Sequence, residues 1–467
     1  MRSSNIYRHM RRLAAALTLM ALLLSLFGCA APQIAEPDIA GPGTTGSCVS
    51  EPSAEAAGSR PEDGSAPEAS GTASSGAGWV DATRSEPVTT SSRVTAAPTV
   101  PVQVDPSDVS EAPPAAPPVE DEPVNTALDP IRKSDYYGLQ QLKAMPRADN
   151  LVAAYQRIAA GVEACETTIS LKDSRYPITP SELDTVFNCY RFDYPQHFWL
   201  DLSTGSYSYS YSGNTVLSVV LCYSLTGSAL DEARRAFESA AADMLKGLDA
   251  GMSEAERELV LHDRLVGAVS YDTTFSKPHI YDAYGALVGH TAVCEGYARA
   301  MQYLLYQAGI QCLIARGVSK GEAHAWNVVK IDGAYYHLEP TWNDPISSAD
   351  FSFVSYAYFN VTDQEIQRDH TIEGNGYALP ACTASAAQYY RSRGLVYTSY
   401  SADDVAALVK AARENRESIV RLWVDGDAKA YAQSILNDWS AICQKADSYG
   451  RIQLITPSSS EVLFSLS

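Results

Sequence analysis

The nine cysteines of this 467-residue chain include no Cys-x-x-Cys pair and show no regular spacing. That argues against a zinc site or a scaffold stapled by disulfides. Positive charge is scarce as well: 35 Lys and Arg stand against 55 Asp and Glu, for a net charge of −20. Nucleic acid is therefore not an expected partner, and the acidic balance by itself names no substrate. Long apolar runs are missing too, since the one near the start, Leu13 to Phe27, is too short for a membrane span. From residue 31 to about 130 aromatic residues all but vanish, with Trp79 left alone among Ala, Pro, Ser, Glu, Thr and Gly. Such a stretch cannot bury enough apolar surface to offset its ordering entropy, so residues 30–133 are expected to be a disordered linker. Prolines and like charges favour its extension. It carries about 13 of the 20 net negative charges, which leaves the rest of the chain only moderately acidic.

What is present begins with Arg2, Arg8, Arg11 and Arg12 ahead of the apolar run, the form of an export signal. Its end, Leu26-Phe27-Gly28-Cys29, resembles a bacterial lipoprotein cleavage box, in which a small residue precedes a cysteine that becomes lipidated. Phe27 is bulkier than usual at its position. The resemblance implies lipidation of Cys29, a membrane partner reached through those acyl chains, and an extracytoplasmic location anchored to a bacterial cell membrane. The expected division is 1–29 signal and lipobox, 30–133 linker, 134–250 an N-terminal α+β part of the working unit, 251–380 its core, and 381–467 a small C-terminal α/β appendage.

The chemistry concentrates in the core. From Cys294 onward, Tyr297, Met301, Leu304, Leu305 and Ala308 recur at helical spacing, with Gly309 as a stop. Cys294 thus falls at a helix start. Gln311 to Val318 reads as a strand and His324 to Ile331 as another, which turns through Asp332-Gly333 into a return strand, Ala334 to Trp342. A two-residue turn there pairs Ile331 with Ala334, sets Trp326 opposite Glu339 and His324 opposite Thr341, and leaves His324 and Glu339 diagonal neighbours on one face. Asp344 has the opposite parity and is the weaker partner for the imidazole. A cysteine at a helix N-terminus, a histidine and an orienting carboxylate are what thiol acyl transfer requires. The thiolate attacks, and a helix start with a nearby imidazolium favours it over a thiol of ordinary pKa, about 8.5.

These residues carry a family resemblance. Ala292-Val293-Cys294-Glu295-Gly296-Tyr297-Ala298, then His324-Ala325-Trp326-Asn327, then Tyr336-His337-Leu338-Glu339-Pro340-Thr341-Trp342-Asn343-Asp344-Pro345 resemble the transglutaminase-like superfamily. The similarity extends roughly from 250 to 375. It implies an α+β, papain-related fold in which a helix bearing the cysteine packs on an antiparallel sheet bearing the histidine and the acid. It also implies Cys294, His324 and Glu339 as the catalytic set, acting on a peptide or protein amide, with the cell envelope as one source of substrate. Glu339 departs from the aspartate usual at that position. The thioester would be resolved by water, giving a peptidase or amidase, or by an amine, giving a crosslinking enzyme. The alternative is an inactive module of the same fold that binds peptide or cell-wall partners. No cofactor or metal is expected, and a monomer is.

Several other features have competing readings. Trp326 and Tyr284 are candidates to wall the cleft, although aromatics beside a hairpin more often belong to the core. The stripe Tyr207, Tyr209 and Tyr211 is either a carbohydrate platform or, as is commoner, a half-buried sheet face. His290 and His337 rival His324 as base, and His262-Asp263 mimics a dyad; all three read more plainly as surface or packing residues. Cys312 should be a buried core thiol. Cys165, Cys189, Cys222, Cys382 and Cys443 are grouped with it, and no pairs are assigned. Thr179-Pro180-Ser181-Glu182 and Ser253 with Glu256 have the form of capping boxes.

Overall fold

Asp332 and Gly333 have φ of 49° and 84°, the left-handed pair that a two-residue hairpin turn needs and that glycine adopts without a Cβ penalty. The turn sets Ile331 opposite Ala334, and strands Glu322–Ile331 and Ala334–Leu338 pair antiparallel from it. Cys312–Ser319 takes the other side of Glu322–Ile331, again antiparallel. Phe359–Val361 and His370–Ile372 complete the five strands at the two edges. The structure, a computed structural model, describes residues 79–81, 127–172, 177–201, 207–344, 353–373, 377–448, 450–455 and 460–466. Cys29, the signal around it and most of the expected linker lie outside the described residues. Among those described, no helix is long and apolar enough to cross a membrane.

The return strand is shorter than its pattern predicts. It ends at Leu338 because Pro340 has no N–H for the ladder and its fixed φ suits the first position of a helix. Glu339 becomes the N-cap of the short helix Pro340–Asn343, its carboxylate accepting the N–H groups of Thr341 and Trp342. The ladder therefore closes on the Asn327–Leu338 pair, and the expected pairings of Trp326 with Glu339 and of His324 with Thr341 do not form.

The helix Cys294–Gln307 covers one face of this sheet, and Tyr297, Met301, Leu304 and Leu305 are fully buried in a cluster that also holds Val329, Ile331 and Leu338 of the hairpin. Each buried side chain of this size stabilises the packing by about 1.5–3 kcal/mol. The N–H groups of Gly309 and Ile310 bond back to the carbonyls of Tyr306 and Leu305 and end the helix. Both capping boxes form, at Thr179 for Pro180–Asp193 and at Ser253 for Glu254–Ala268. The same apolar cluster runs on through Tyr155, Phe187 and Trp199, so the part before residue 250 shares its core with the cysteine helix. Helices on an antiparallel sheet make the fold α+β.

Toward the C-terminus a second core forms around Val409, Leu422, Trp439 and Phe464. Its sheet runs Trp79–Asp81, Arg451–Ile455, Glu461–Leu466, Ile419–Val424, Val396–Tyr397, the last pair parallel. The sequence pattern reads as helix near Ala384 to Ser392 and from Ala428 to Lys445, but the first forms only as Tyr389–Ser392, and the second breaks at Asp438 into Ala428–Asn437 and Trp439–Lys445. Trp79–Asp81, inside the expected linker, pairs antiparallel with Arg451–Ile455. Buried Glu461 ties this unit to the core, accepting the Ser355 hydroxyl at 2.5 Å and the Tyr356 N–H at 2.9 Å.

Candidate active site

Cys294 occupies the first position of its helix, behind an N-cap, Val293, that offers no side-chain acceptor. The partial positive charge of the helix start is thus left uncapped by any side chain beside the half-exposed thiol. The preceding loop presses on this turn: the Val293 N–H donates to the Ile280 carbonyl at 2.9 Å. A Cβ on Gly296 would come within 2.4 Å of the same oxygen, so only glycine allows that approach.

His324 reaches the turn from the sheet. Its Nε2 lies 3.2 Å from Glu339 Oε1, and Cys294 is among the groups that act on the same ring. Burial alone would depress the imidazolium, but the Glu339 carboxylate, with its hydrogen bond and the nearby Cys294 adding to it, raises it to about 10. Glu339 is wholly buried. Its Oε1 also accepts the Thr341 N–H at 3.1 Å and its Oε2 the Trp342 N–H. One carboxylate therefore caps a helix and orients an imidazole, and the extra methylene of glutamate spans the gap left where the strand stops. Trp342 covers the pair, with its indole Nε1 3.0 Å from His324 Nε2. The indole N–H donates there only while that nitrogen carries no proton. The Lys320 ammonium sits 3.2 Å from the centre of the Trp342 ring.

The remaining candidates separate from this group. Trp326, a candidate for the cleft wall whose commoner reading is core, is fully buried beneath the imidazole, the rings nearly parallel at 22° with centres 6.1 Å apart. Tyr284 packs on Phe198 at 4.7 Å, partly buried against the core. His337 is spoken for: the Trp326 indole N–H donates to its Nδ1 at 3.0 Å and its Nε2 faces Asp363 at 2.9 Å. His290 is exposed at a turn with φ of 51°. His262 is buried, bonded to Asp263 at 3.0 Å and to Asn343 at 3.0 Å, and so braces the short helix that Glu339 caps. Asp344 accepts the Tyr297 hydroxyl at 2.7 Å, not the imidazole. The tyrosine stripe runs from Tyr207, packed on Phe187 at 4.3 Å, to an exposed Tyr211.

The described cysteines are all free. Cys312 is buried and its thiol pushed up by that burial; burial likewise raises Cys189 to about 12. Cys222, grouped with the core thiols on sequence, is exposed instead. His337, Asp363 and Cys382 bring possible metal-ligand atoms within 4.8 Å of one another. Hydrogen bonds already account for the grouping, since Asp363 is shared by His337 and by the Cys382 N–H at 2.9 Å.

The residue after the nucleophile candidate opens a second cluster. Glu295 accepts from Arg299 at 2.8 Å and from Arg316 at 2.6 Å. Burial would raise its carboxyl, but Arg299, Arg316 and Arg191 outweigh that and hold it at about 2. Sequence reasoning missed this cluster and also Trp342 and His370. Only the spacing of four between Glu295 and Arg299 was visible as a helical ion pair. His370 is buried beside His324, ring centres 5.4 Å apart, with its Nδ1 on Asp369 at 2.7 Å.

Residues 241–340 match the profile of the Transglutaminase-like superfamily, a span that holds Cys294, His324 and Glu339. The Kyphoscoliosis peptidase of Mus musculus is 25% identical over 115 residues, 21% of this chain and 17% of that protein. Its Homo sapiens counterpart is 28% identical over 103 residues, 18% and 15% of the two chains. The chain thus spans less than a fifth of these relatives' length. A crystal structure described as a TGase overlaps 37% of this chain and 51% of its own at 13% identity and a TM-score of 0.23, too loose a superposition to carry an argument. Residues 241–340, which hold the cysteine helix and the histidine hairpin, are a transglutaminase-like domain.

Proposed function

We propose that this domain catalyses thiol acyl transfer on peptide or protein amides, with Cys294 as nucleophile, His324 as acid and base, and Glu339 as the group that orients the imidazole. The observation that carries the reading is the His324–Glu339 hydrogen bond at 3.2 Å beside a helix that starts at Cys294, whose thiol acts on the same imidazole. With His324 protonated at neutral pH, its positive charge and the helix start stabilise the thiolate that attacks the amide carbonyl carbon. The Cys294 N–H is placed to donate to the developing oxyanion. The C–N bond breaks, the imidazolium gives its proton to the departing amine, and a thioester remains on Cys294. Water or a second amine then attacks the thioester, His324 takes the proton of the attacking group, and the thiolate leaves. Water gives a peptidase or amidase and an amine gives a crosslink.

Mass spectrometry of a mixed peptide and amine pool incubated with wild type and with Cys294→Ala tests this directly. Wild type should yield mass changes of hydrolysis or of amide exchange, and Cys294→Ala none. An unchanged pool with folded wild type would leave the domain as a binding module.

A further inference from the structure

The other flank of the cysteine turn is a cavity of about 650 Å³. Glu295, which lines it, follows Cys294 directly, so the cavity wall begins about 3.8 Å along the chain from the nucleophile's Cα. Arg191, Arg299 and Arg316 form the charged side of the cavity, and Glu295 is paired with the latter two. Arg191 has no ion pair among the described residues, and its Nε is buried with no hydrogen-bond partner. Two guanidinium groups, those of Arg191 and Arg316, lie on the ring of Phe192, with carbons 4.7 and 4.9 Å from its centre. Like charges held around one carboxylate leave donors to spare.

The other acidic groups of the lining offset part of this charge but form no ion pair with Arg191. Asp282 is occupied by the N–H groups of Tyr284 and Gly285 at 3.0 and 3.1 Å and by His279 at 2.7 Å. Asp201 also lines the cavity, and His197 is bound to Glu163 at 3.0 Å. Apolar surface completes the lining: Phe198 and Leu200 are buried, and Tyr281 is 57% exposed at the mouth. A guanidinium fork with unused N–H groups, backed by apolar wall, matches a planar carboxylate carried on a peptide.

We infer that this cavity selects a carboxylate on the acyl-donor peptide, held by Arg191 next to the amide that Cys294 attacks. The carboxylate is either an acidic side chain or a free C-terminus. The inference rests on the acyl-transfer reading of Cys294 for its place in a reaction, while the binding itself does not require turnover. Burial and the neighbouring Arg316 push the Arg191 guanidinium down to about 9, a cost that a bound carboxylate would relieve.

The test is fluorescence anisotropy on Cys294→Ala protein with labelled hexapeptides of Ala and Gln. The neutral parent has both ends blocked; one set carries a single Glu at each position in turn, and one peptide has a free C-terminal carboxylate. At least one carboxylate peptide should bind about tenfold tighter than the parent, as a charged hydrogen-bonded pair predicts. Which set shows the gain identifies the source of the carboxylate. Arg191→Gln should bring acidic and neutral affinities together, and Arg191→Lys should keep part of the gap, since it retains charge without the fork. Circular dichroism checks that each variant folds; should Arg191→Gln unfold, the Arg191→Lys comparison and loss of the gap in high salt decide the same question. Equal affinities across the peptides, or a gap that survives Arg191→Gln, would overturn the inference. Turnover of the same peptides by wild type separates the two claims. Preference without turnover keeps the cavity and removes acyl transfer, whereas turnover without preference does the reverse.

Discussion

Two glutamates flank Cys294, and they differ in what surrounds them. Glu339 is met by backbone N–H groups and by an imidazole, whereas Glu295 is met by guanidinium groups alone. Guanidinium groups stay charged and give up no proton at working pH, so the Glu295 side holds a fixed field. An imidazole can lose and regain its proton, so the Glu339 side can do chemistry. The same kind of side chain becomes either an anchor or part of a proton path according to its partners.

The largest break in that comparison should come from Glu339→Gln. Removing the charge while keeping shape should lower kcat by a factor on the order of 10²–10⁴, as loss of a triad carboxylate does elsewhere. Tm should fall as well, since the charged pair with His324 is lost, although the amide oxygen can still cap the short helix. Glu339→Asp should fall between the two, since its shorter reach lengthens the 3.2 Å contact. Steady-state kinetics beside thermal melts separates these outcomes, and a kcat equal to wild type in Glu339→Gln would remove the carboxylate from the mechanism.

Glu295→Gln should act mainly on stability. It leaves Arg299 and Arg316 without their counter-ion, and breaking such a pair costs on the order of 3–5 kcal/mol where it is buried. Denaturant titration should show the loss, discounted because the Glu295 side chain retains 19% exposure. Turnover per folded molecule should change far less than in Glu339→Gln.

The two sides should also answer pH in opposite directions. His324 is raised to about 10 from an ordinary value near 6.5. Its contribution is complete below about 6.5 and is lost as pH climbs through 10. Glu295 is depressed to about 2 from near 4.5, so its contribution is complete above about 4.5 and is lost as pH falls toward 2. Melting temperature against pH should therefore decline at both ends, with the alkaline limb flattened by Glu339→Gln and the acid limb by Glu295→Gln. A single variant that flattened both limbs would contradict this division.

The smallest expected difference is in thiol labelling. At neutral pH iodoacetamide should modify Cys294 well ahead of buried Cys189 and Cys312, and His324→Gln should slow Cys294 several-fold while leaving exposed Cys222 unchanged. Peptide mapping by mass spectrometry reads each site. Equal slowing of Cys222 would point to a general change in the protein rather than to the imidazole.

Local pattern carried the elements and much of the constellation. Helical spacing after Cys294 and the Asp332-Gly333 turn fixed where the helix begins and which hairpin residues face one another, because side-chain period and turn geometry are local properties. The same pattern overran at Trp342, where Pro340 and the capping carboxylate of Glu339 end the strand. It overran again at Asp438, where the expected long helix breaks. It brought His324 and Glu339 near each other by register; in the folded chain they meet although the ladder stops short of both.

What the sequence alone determined is the order and spacing of Cys294, His324 and Glu339 and the elements that bear them, since these depend on neighbours a few residues apart. The tertiary structure decided the rest. Arg191 comes to Glu295 from a helix more than a hundred residues away, Arg316 from a strand, and Trp342 folds over the imidazole from the helix that Glu339 caps. Such contacts arise when separate elements bury their apolar faces together, and no spacing along the chain records which charged side chains that burial will bring into contact.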